Sequence, residues 1–166
     1  LEPHSQYLWQ GKLGTFRIDI DEGLRPRTFK LSNVRLAADD EPNGNGFFVA
    51  SGGDEQTRSH DIVLERSYVH DNGTPEVGQD QRHNIYTEAD GMVFQYNEIG
   101  PLAPGALGAA LKDRSTGTVV RYNRITGGSR SLDLVDAQDS SALAVEDPDY
   151  RTTLVYGNVI INDAAL

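Results

Sequence analysis

The stretch Lys112-Asp113-Arg114 places three charges directly ahead of a strand-like segment, Thr118 to Ile125. A second group, His83, Tyr86 and Glu88, precedes another such segment at the same distance: Ile85 lies seven residues before Met92, and Leu111 seven before Thr118. If the two stretches stack in that register, Tyr86 meets Lys112, Thr87 meets Asp113 and Glu88 meets Arg114. Alternation along a strand turns Lys112 and Arg114 to one outward face above Tyr86 and Glu88. Leu111 and Asp113 then point the other way, and His83 stands at the strand entrance. Such a group suits β-elimination from a uronate. Arg neutralises the carboxylate with both arms of its fork, and Lys or Tyr takes the C5 proton where a cationic neighbour lowers its pKa. A further group protonates the leaving oxygen. Lys112, Arg114, Tyr86 and Glu88 are therefore the candidate catalytic residues, and His83, Asp133 and Asp136 the candidate substrate-binding ones. The bland explanation of the same charges is a surface ladder, Glu88 with Arg114 and Lys112 with a carboxylate one level away, each pair contributing about 0–1 kcal/mol.

The elements that must hold these groups come from a repeat. Four stretches share a register at Ser67, Asn97, Asn123 and Asn158. Five residues earlier stand Ile62, Met92, Thr118 and Thr153, and three earlier Leu64, Phe94, Val120 and Val155. Two residues later come Val69, Ile99, Ile125 and Ile160. Apolar residues two apart indicate strands, and the change of phase at the Ser/Asn position indicates a corner between two short strands. The copies lie 30, 26 and 35 residues apart, too far for hairpins and too unequal for a strict solenoid. Stacked repeats are the architecture that such self-similarity implies. Equivalent strands pair in parallel about 4.8 Å apart, and the corner Asn side chains form an internal ladder that satisfies buried amides. An antiparallel sandwich is the alternative, but it leaves the fixed Asn offset unexplained.

The string I-x-L-x-x-[SN]-x-[VI] resembles the repeat of right-handed parallel β-helix proteins, the pectate-lyase-like group. His83-Asn84-Ile85-Tyr86, Leu111 to Ser115 and Leu132 to Ser140 resemble landmarks of a bacterial β-helix family without an established activity. The resemblance spans residues 28–162 and implies an all-β fold, a right-handed parallel β-helix of about four to five coils. Arg114 to Asn123 also distantly resembles the Lys-Ser stretch of alginate and chondroitin lyases. In those enzymes Lys is the base; here Arg114 stands in its place, and Arg is protonated at any ordinary pH. The acidic calcium site of those lyases has no convincing counterpart, so no cofactor is expected; Ca2+ stays open as the alternative, without a clear ligand motif.

At 166 residues the chain is expected to be one domain, with an irregular part over residues 1–27 and coils over 28–162. Seventeen Gly and 37% hydrophobic residues suit a turn-rich β protein with a slim core. Cysteine is absent, which removes disulfides and thiolate chemistry. No apolar run reaches the roughly 18 residues of a transmembrane helix. Fifteen basic against 25 acidic residues give a net charge of −10, which argues against a nucleic-acid partner. It also counts mildly against a polyanion, unless a local basic groove offsets it. With neither an initiator Met nor a signal peptide, the chain reads as processed or incomplete. A final coil ending near Ile161 would expose a sheet edge that further residues or another chain should cover.

Between the copies, the sequence marks loops at Asp39 to Gly46, Ser51 to His60, Asp71 to Arg82 and Asp136 to Ser141. Tyr7 to Ile20 suggests two strands around Gln10-Gly11-Lys12, and residues 28–36 an earlier coil with its corner near Asn33, one residue out of register. The acidic run Asp19 to Gly23 is a solvated turn rather than a calcium loop, since the remaining ligand positions are missing. Asp133, Asp136 and Asp139 could bind a cation, but a hydrogen-bonded turn is the simpler reading. His60 and His70 read as polar loop residues. The expected function is interaction with a polysaccharide, including lyase-like action on uronate-containing glycans, with a secreted or periplasmic location. The alternative is a non-catalytic structural or accessory subunit docked in a larger assembly.

Overall fold

The columns of apolar residues in the repeat fall on two of three parallel sheets. They are buried through Leu64, Phe94 and Val120 and through Val69, Ile99 and Ile125, and exposed at Val155 and Ile160. The computed structural model describes residues 5–11, 14–20, 29–32, 35–37, 44–55, 57–75 and 81–162, with side chains from residue 44 onward. Strands β1 (Ser5–Gly11) and β2 (Gly14–Ile20) come first, then β3 (Phe29–Ser32), β4 (Arg35–Ala37) and β5 (Phe47–Val49). Next are β6 (His60–Glu65), β7 (Tyr68–His70), β8 (Ile85–Thr87), β9 (Asp90–Gln95) and β10 (Glu98–Ile99). They are followed by β11 (Ala109–Asp113), β12 (Thr118–Arg121), β13 (Arg124–Thr126) and β14 (Arg130–Leu134). A single-turn-and-a-half helix, α1 (Ser141–Glu146), precedes β15 (Thr153–Tyr156) and β16 (Val159–Ile161).

Every third strand joins the same sheet. The orders are β3-β6-β9-β12-β15, β4-β7-β10-β13-β16 and β5-β8-β11-β14, and each neighbouring pair within them is parallel. Three consecutive strands thus supply one strand to each sheet before the chain moves up a level. The result is strand-rich, with almost no helix, and compatible with the expected parallel β-helix. No helix among the described residues is long and apolar enough to cross a membrane.

The register agrees with the repeat. Leu64 pairs with Phe94, Phe94 with Val120 and Val120 with Val155. In the adjacent sheet Val69, Ile99, Ile125 and Ile160 are aligned. Phe94, Leu64, Val120, Ile99 and Ile125 are completely buried; burial of each such large side chain contributes about 1.5–3 kcal/mol. The earliest level follows the same spacing, with Leu31 on Leu64 and Leu36 on Val69. Its expected corner residue, Asn33, lies outside the described residues.

The Asn ladder is formed by specific bonds. Asn97 Oδ1 accepts the backbone N–H of Ser67 at 3.0 Å, Asn123 Oδ1 that of Asn97 at 2.9 Å, and Asn158 Oδ1 that of Asn123 at 2.9 Å. Each Asn also donates from Nδ2 to a carbonyl one level below: Asn97 to Leu64, Asn123 to Phe94, Asn158 to Val120. Both halves of the amide are therefore used where water is excluded. The bend itself lies one residue earlier than the repeat suggests. Arg66, Tyr96 and Tyr122 adopt φ of 48°, 58° and 56°, and Gly157 takes the same place at 65°. A left-handed non-Gly residue costs about 1–2 kcal/mol, which the ladder bonds on its C-terminal side offset. Gly157 has a second constraint, since a Cβ there would fall 2.5 Å from the Tyr122 ring.

The two strands expected between Tyr7 and Ile20 form the antiparallel β1–β2 pair, and β1 lies against β4 and β5. Ala142 to Val145 falls within α1. At the other end of the stack β15 and β16 are exposed along their whole length.

Candidate functional site

The sheet β5-β8-β11-β14 carries the predicted group. Phe48, Tyr86, Lys112 and Asp133 stand at one position of four successive strands. The rings of Phe48 and Tyr86 stack with centroids 5.5 Å apart, and Lys112 Nζ lies 5.7 Å from the centre of the Tyr86 ring. The expected pairings of Tyr86 with Lys112 and Thr87 with Asp113 are present. The expected open face is not, because Lys112 is 7% exposed and Glu88 2%. Both sides of β11 are covered, so alternation alone does not report exposure here.

A strap formed by residues 135–140 supplies the cover at Glu88. Glu88 Oε1 accepts from the backbone N–H of Gln138 at 3.1 Å, the backbone N–H of Ser140 at 2.7 Å and the Ser140 hydroxyl at 2.8 Å. Arg114 Nη1 donates to the carbonyl of Asp136. The two charges that an ion-pair ladder would join are instead each bonded to the strap. Burial holds the Tyr86 phenol above its ordinary pKa, with the Arg114 guanidinium beside it acting in the opposite direction.

Asp113 points inward, as the alternation requires, and is fully enclosed. Its Oδ1 accepts from Thr87 at 2.6 Å and Ser115 at 2.7 Å, and its Oδ2 from Thr118 at 2.6 Å. Burial raises its pKa, while these hydroxyl donors favour the ionised form. Asp113 therefore belongs to the frame that ties β8, β11 and β12 together.

Beside this frame opens a groove of about 430 Å3, with Arg114, Thr116, Asp136, Tyr150 and Thr153 on its walls and Leu134 and Val135 supplying apolar surface. Tyr150 Oη lies 3.4 Å from Asp136 Oδ1. Of the predicted residues, Arg114 and Asp136 line the groove, whereas Lys112, Tyr86, Glu88, His83 and Asp133 do not. His83 Nδ1 accepts the backbone N–H of Ala109 at 2.8 Å, which places its ring proton on Nε2 and makes it a support of the strand entrance. Asp133 faces Arg130 at 3.2 Å. Among the described residues no group of three or more His, Asp or Glu side chains is arranged to hold a metal ion, and Asp133, Asp136 and Asp139 form no such group.

A buried charge network next to the groove escaped the sequence reading. Arg58 Nη2 donates to Asp147 Oδ2 at 2.6 Å and to Thr116 Oγ1 at 3.1 Å, and Nη1 lies 3.7 Å from Asp90 Oδ2. His60, read as a loop residue, begins β6; its Nδ1 is 3.0 Å from Asp90 Oδ2 and its Nε2 3.4 Å from Glu55 Oε1. His70 ends β7, buried, with its ring stacked on Tyr68 and bonded to Asp71. Burial raises the Asp90 pKa against the pull of Arg58. At Asp147 burial also pushes upward, but bonds from the Asp149 N–H, Thr116 and Arg58 outweigh it and the pKa is lowered. The Thr116 hydroxyl meets carboxylates rather than the imidazole, so these groups do not form a nucleophile–base arrangement. Their contacts join the ends of three strand-connecting segments. The sequence signal was weak, because Arg58 and Asp147 are 89 residues apart.

Compared with family models, with curated proteins and with solved structures, the chain matches none of them.

Proposed function

We propose that the three sheets are faces of a right-handed parallel β-helix of the pectate-lyase-like kind, and that the protein interacts with uronate-containing polysaccharide at the groove beside Arg114. The observation that supports this is the composition of the groove wall: a guanidinium, a carboxylate, hydroxyls from Thr116, Tyr150 and Thr153, and apolar Leu134 and Val135. A sugar needs polar partners for its hydroxyls and apolar surface for its C–H faces, and a uronate adds a carboxylate that Arg binds well. The volume lies in the range of small-ligand sites, roughly 300–1,000 Å3. Within an acidic chain, Arg114 provides the local positive charge that a polyanion requires.

The lyase-like form of this proposal assigns the uronate carboxylate to Arg114 and, once Lys112 has given up its own proton, the C5 proton to the neutral Lys112 amine. The C5 electrons then form the C4–C5 double bond as the C4 oxygen leaves, and Tyr86, kept protonated by burial, supplies a proton to that oxygen. Lys112 and Tyr86 lie outside the groove lining, so this form further requires them to become accessible to a substrate bound at Arg114. Titration calorimetry with trigalacturonate and an alginate oligomer tests binding, and ultraviolet absorbance of the unsaturated product tests cleavage. Absence of binding to both sugars would overturn the proposal.

A second reading, a structural or accessory subunit, has its own support in the exposed apolar residues Leu154, Val155, Val159, Ile160 and Ile161. Light scattering decides here: a monomer that remains soluble at high concentration counts against docking through that coil.

A further inference from the structure

Glu88 does not line the groove, yet its carboxylate holds the segment that forms one wall of it. We propose that Glu88 is a positioning residue, a latch that keeps residues 134–137 in place as the groove wall. The strap runs from Val135, whose N–H donates to Asp113 O at 3.0 Å, to Ser140, whose carbonyl accepts the Ala144 N–H at 2.9 Å. Between those ends, among the described residues, its backbone is held by Arg114 at the Asp136 carbonyl and by Glu88 at the Gln138 and Ser140 N–H groups. Leu134, Val135, Asp136, Gln138 and Asp139 are themselves exposed, so little apolar burial fixes the strap. Segments with so few buried contacts open at low free energy unless specific bonds close them.

The dependence runs in both directions. A buried carboxylate is stable when hydrogen-bonded and costly when not. One oxygen of Glu88 takes all three strap bonds, while Oε2 is buried without a hydrogen-bond partner among the described residues. Glu88 therefore gains its compensation from the closed strap. The affinity of the groove falls with the fraction of molecules whose wall is in place. This also accounts for a charge at position 88, which the repeat itself does not require.

The test compares wild type with Glu88→Ala and Glu88→Gln. Hydrogen exchange at the Gln138 and Ser140 amides reads the latch without any ligand. The expected result is exchange about tenfold faster or more in Glu88→Ala, and an intermediate rate in Glu88→Gln, which keeps an acceptor oxygen in place. Exchange in β9 and β12 should not change. Trigalacturonate affinity, an arm that rests on the function proposed above, should weaken about tenfold in Glu88→Ala if roughly one molecule in ten keeps the wall closed. Unchanged exchange at Gln138 and Ser140 overturns the latch. Faster exchange with unchanged affinity overturns its coupling to the groove. If wild type does not bind trigalacturonate, the glycan reading fails while the exchange result still decides the latch. Should Glu88→Ala not fold, as judged by circular dichroism, the Glu88→Gln exchange rates decide it.

Discussion

Asn123 holds Asn97 from above: its Oδ1 accepts the Asn97 backbone N–H at 2.9 Å while its Nδ2 donates to Phe94 O at 3.0 Å. One side chain thus closes a donor and an acceptor on the level below it, at a corner where Asn97 and Asn123 are both buried. Asn123→Ala leaves both backbone groups without a partner, and each buried unsatisfied group costs about 1–3 kcal/mol. Asn123→Asp preserves the acceptor but not the donor, and should fall between alanine and wild type. Urea denaturation measures the series. An alanine variant as stable as wild type would mean that the ladder contributes nothing to stability.

The same corner separates what the sequence made legible from what it did not. Phe94 and Val120 could be placed because their type and offset recur, and recurrence fixes both face and register. The left-handed residue escaped because Arg66, Tyr96, Tyr122 and Gly157 share a backbone angle and no side-chain character. The burial of Lys112 and Glu88 escaped for a different reason. Alternation reports the side of a strand, whereas exposure on that side depends on what covers it, which for Glu88 is the strap. The bond from Ser140 to Glu88 spans 52 residues and leaves no periodic trace. Arg114 and Asp136 were identified by residue type and do meet at the groove, although the contact uses the Asp136 carbonyl rather than its carboxylate.

Asp113 should impose a recognisable pH dependence. Burial raises its folded pKa above the ordinary carboxylate value. The folded state therefore holds the proton more tightly than the unfolded state. Its contribution to stability is fully present below the unfolded pKa and is lost as pH rises through the folded pKa. Asp113→Asn removes that proton linkage. Between the unfolded and the folded pKa, wild type should lose stability relative to the variant as pH rises, and the difference should level off above the folded pKa. Thermal unfolding across the window checks it; parallel curves for the two proteins would rule out a raised pKa.

Arg58 and Asp147 predict the opposite asymmetry. Their side chains are 7% and 6% exposed and lie 2.6 Å apart, so removal of the cation leaves a buried carboxylate unpaired. Arg58→Ala should destabilise by about 3–5 kcal/mol. The double variant Arg58→Ala with Asp147→Asn should recover part of that loss. The lowered Asp147 pKa means that its contribution is present above the unfolded pKa and is lost as pH falls through the folded pKa. Acid should therefore narrow the gap between wild type and Arg58→Ala. A gap that widens in acid would contradict the pairing.

Lys112 and Arg114 should now behave differently from each other, although the sequence set them side by side. The Lys112 ammonium sits against the Tyr86 ring in a position 7% exposed, whereas Arg114 reaches the groove wall. Lys112→Ala removes a sheltered cation–π contact, which is worth about 0.5–2 kcal/mol, together with the packing of the lysine stem. It should lower thermal stability rather than leave it unchanged. Arg114→Ala deletes the proposed partner of the uronate carboxylate and should weaken trigalacturonate binding at least about tenfold, given roughly 1.5–3 kcal/mol for a hydrogen bond to a charged group. In the lyase case both variants abolish the unsaturated product, because each removes a separate requirement of the elimination. In the binding case no product forms with wild type, and Arg114→Ala alone produces the large loss of affinity. Lyase activity that survives both substitutions would remove these residues from the site and leave the stacked sheets intact.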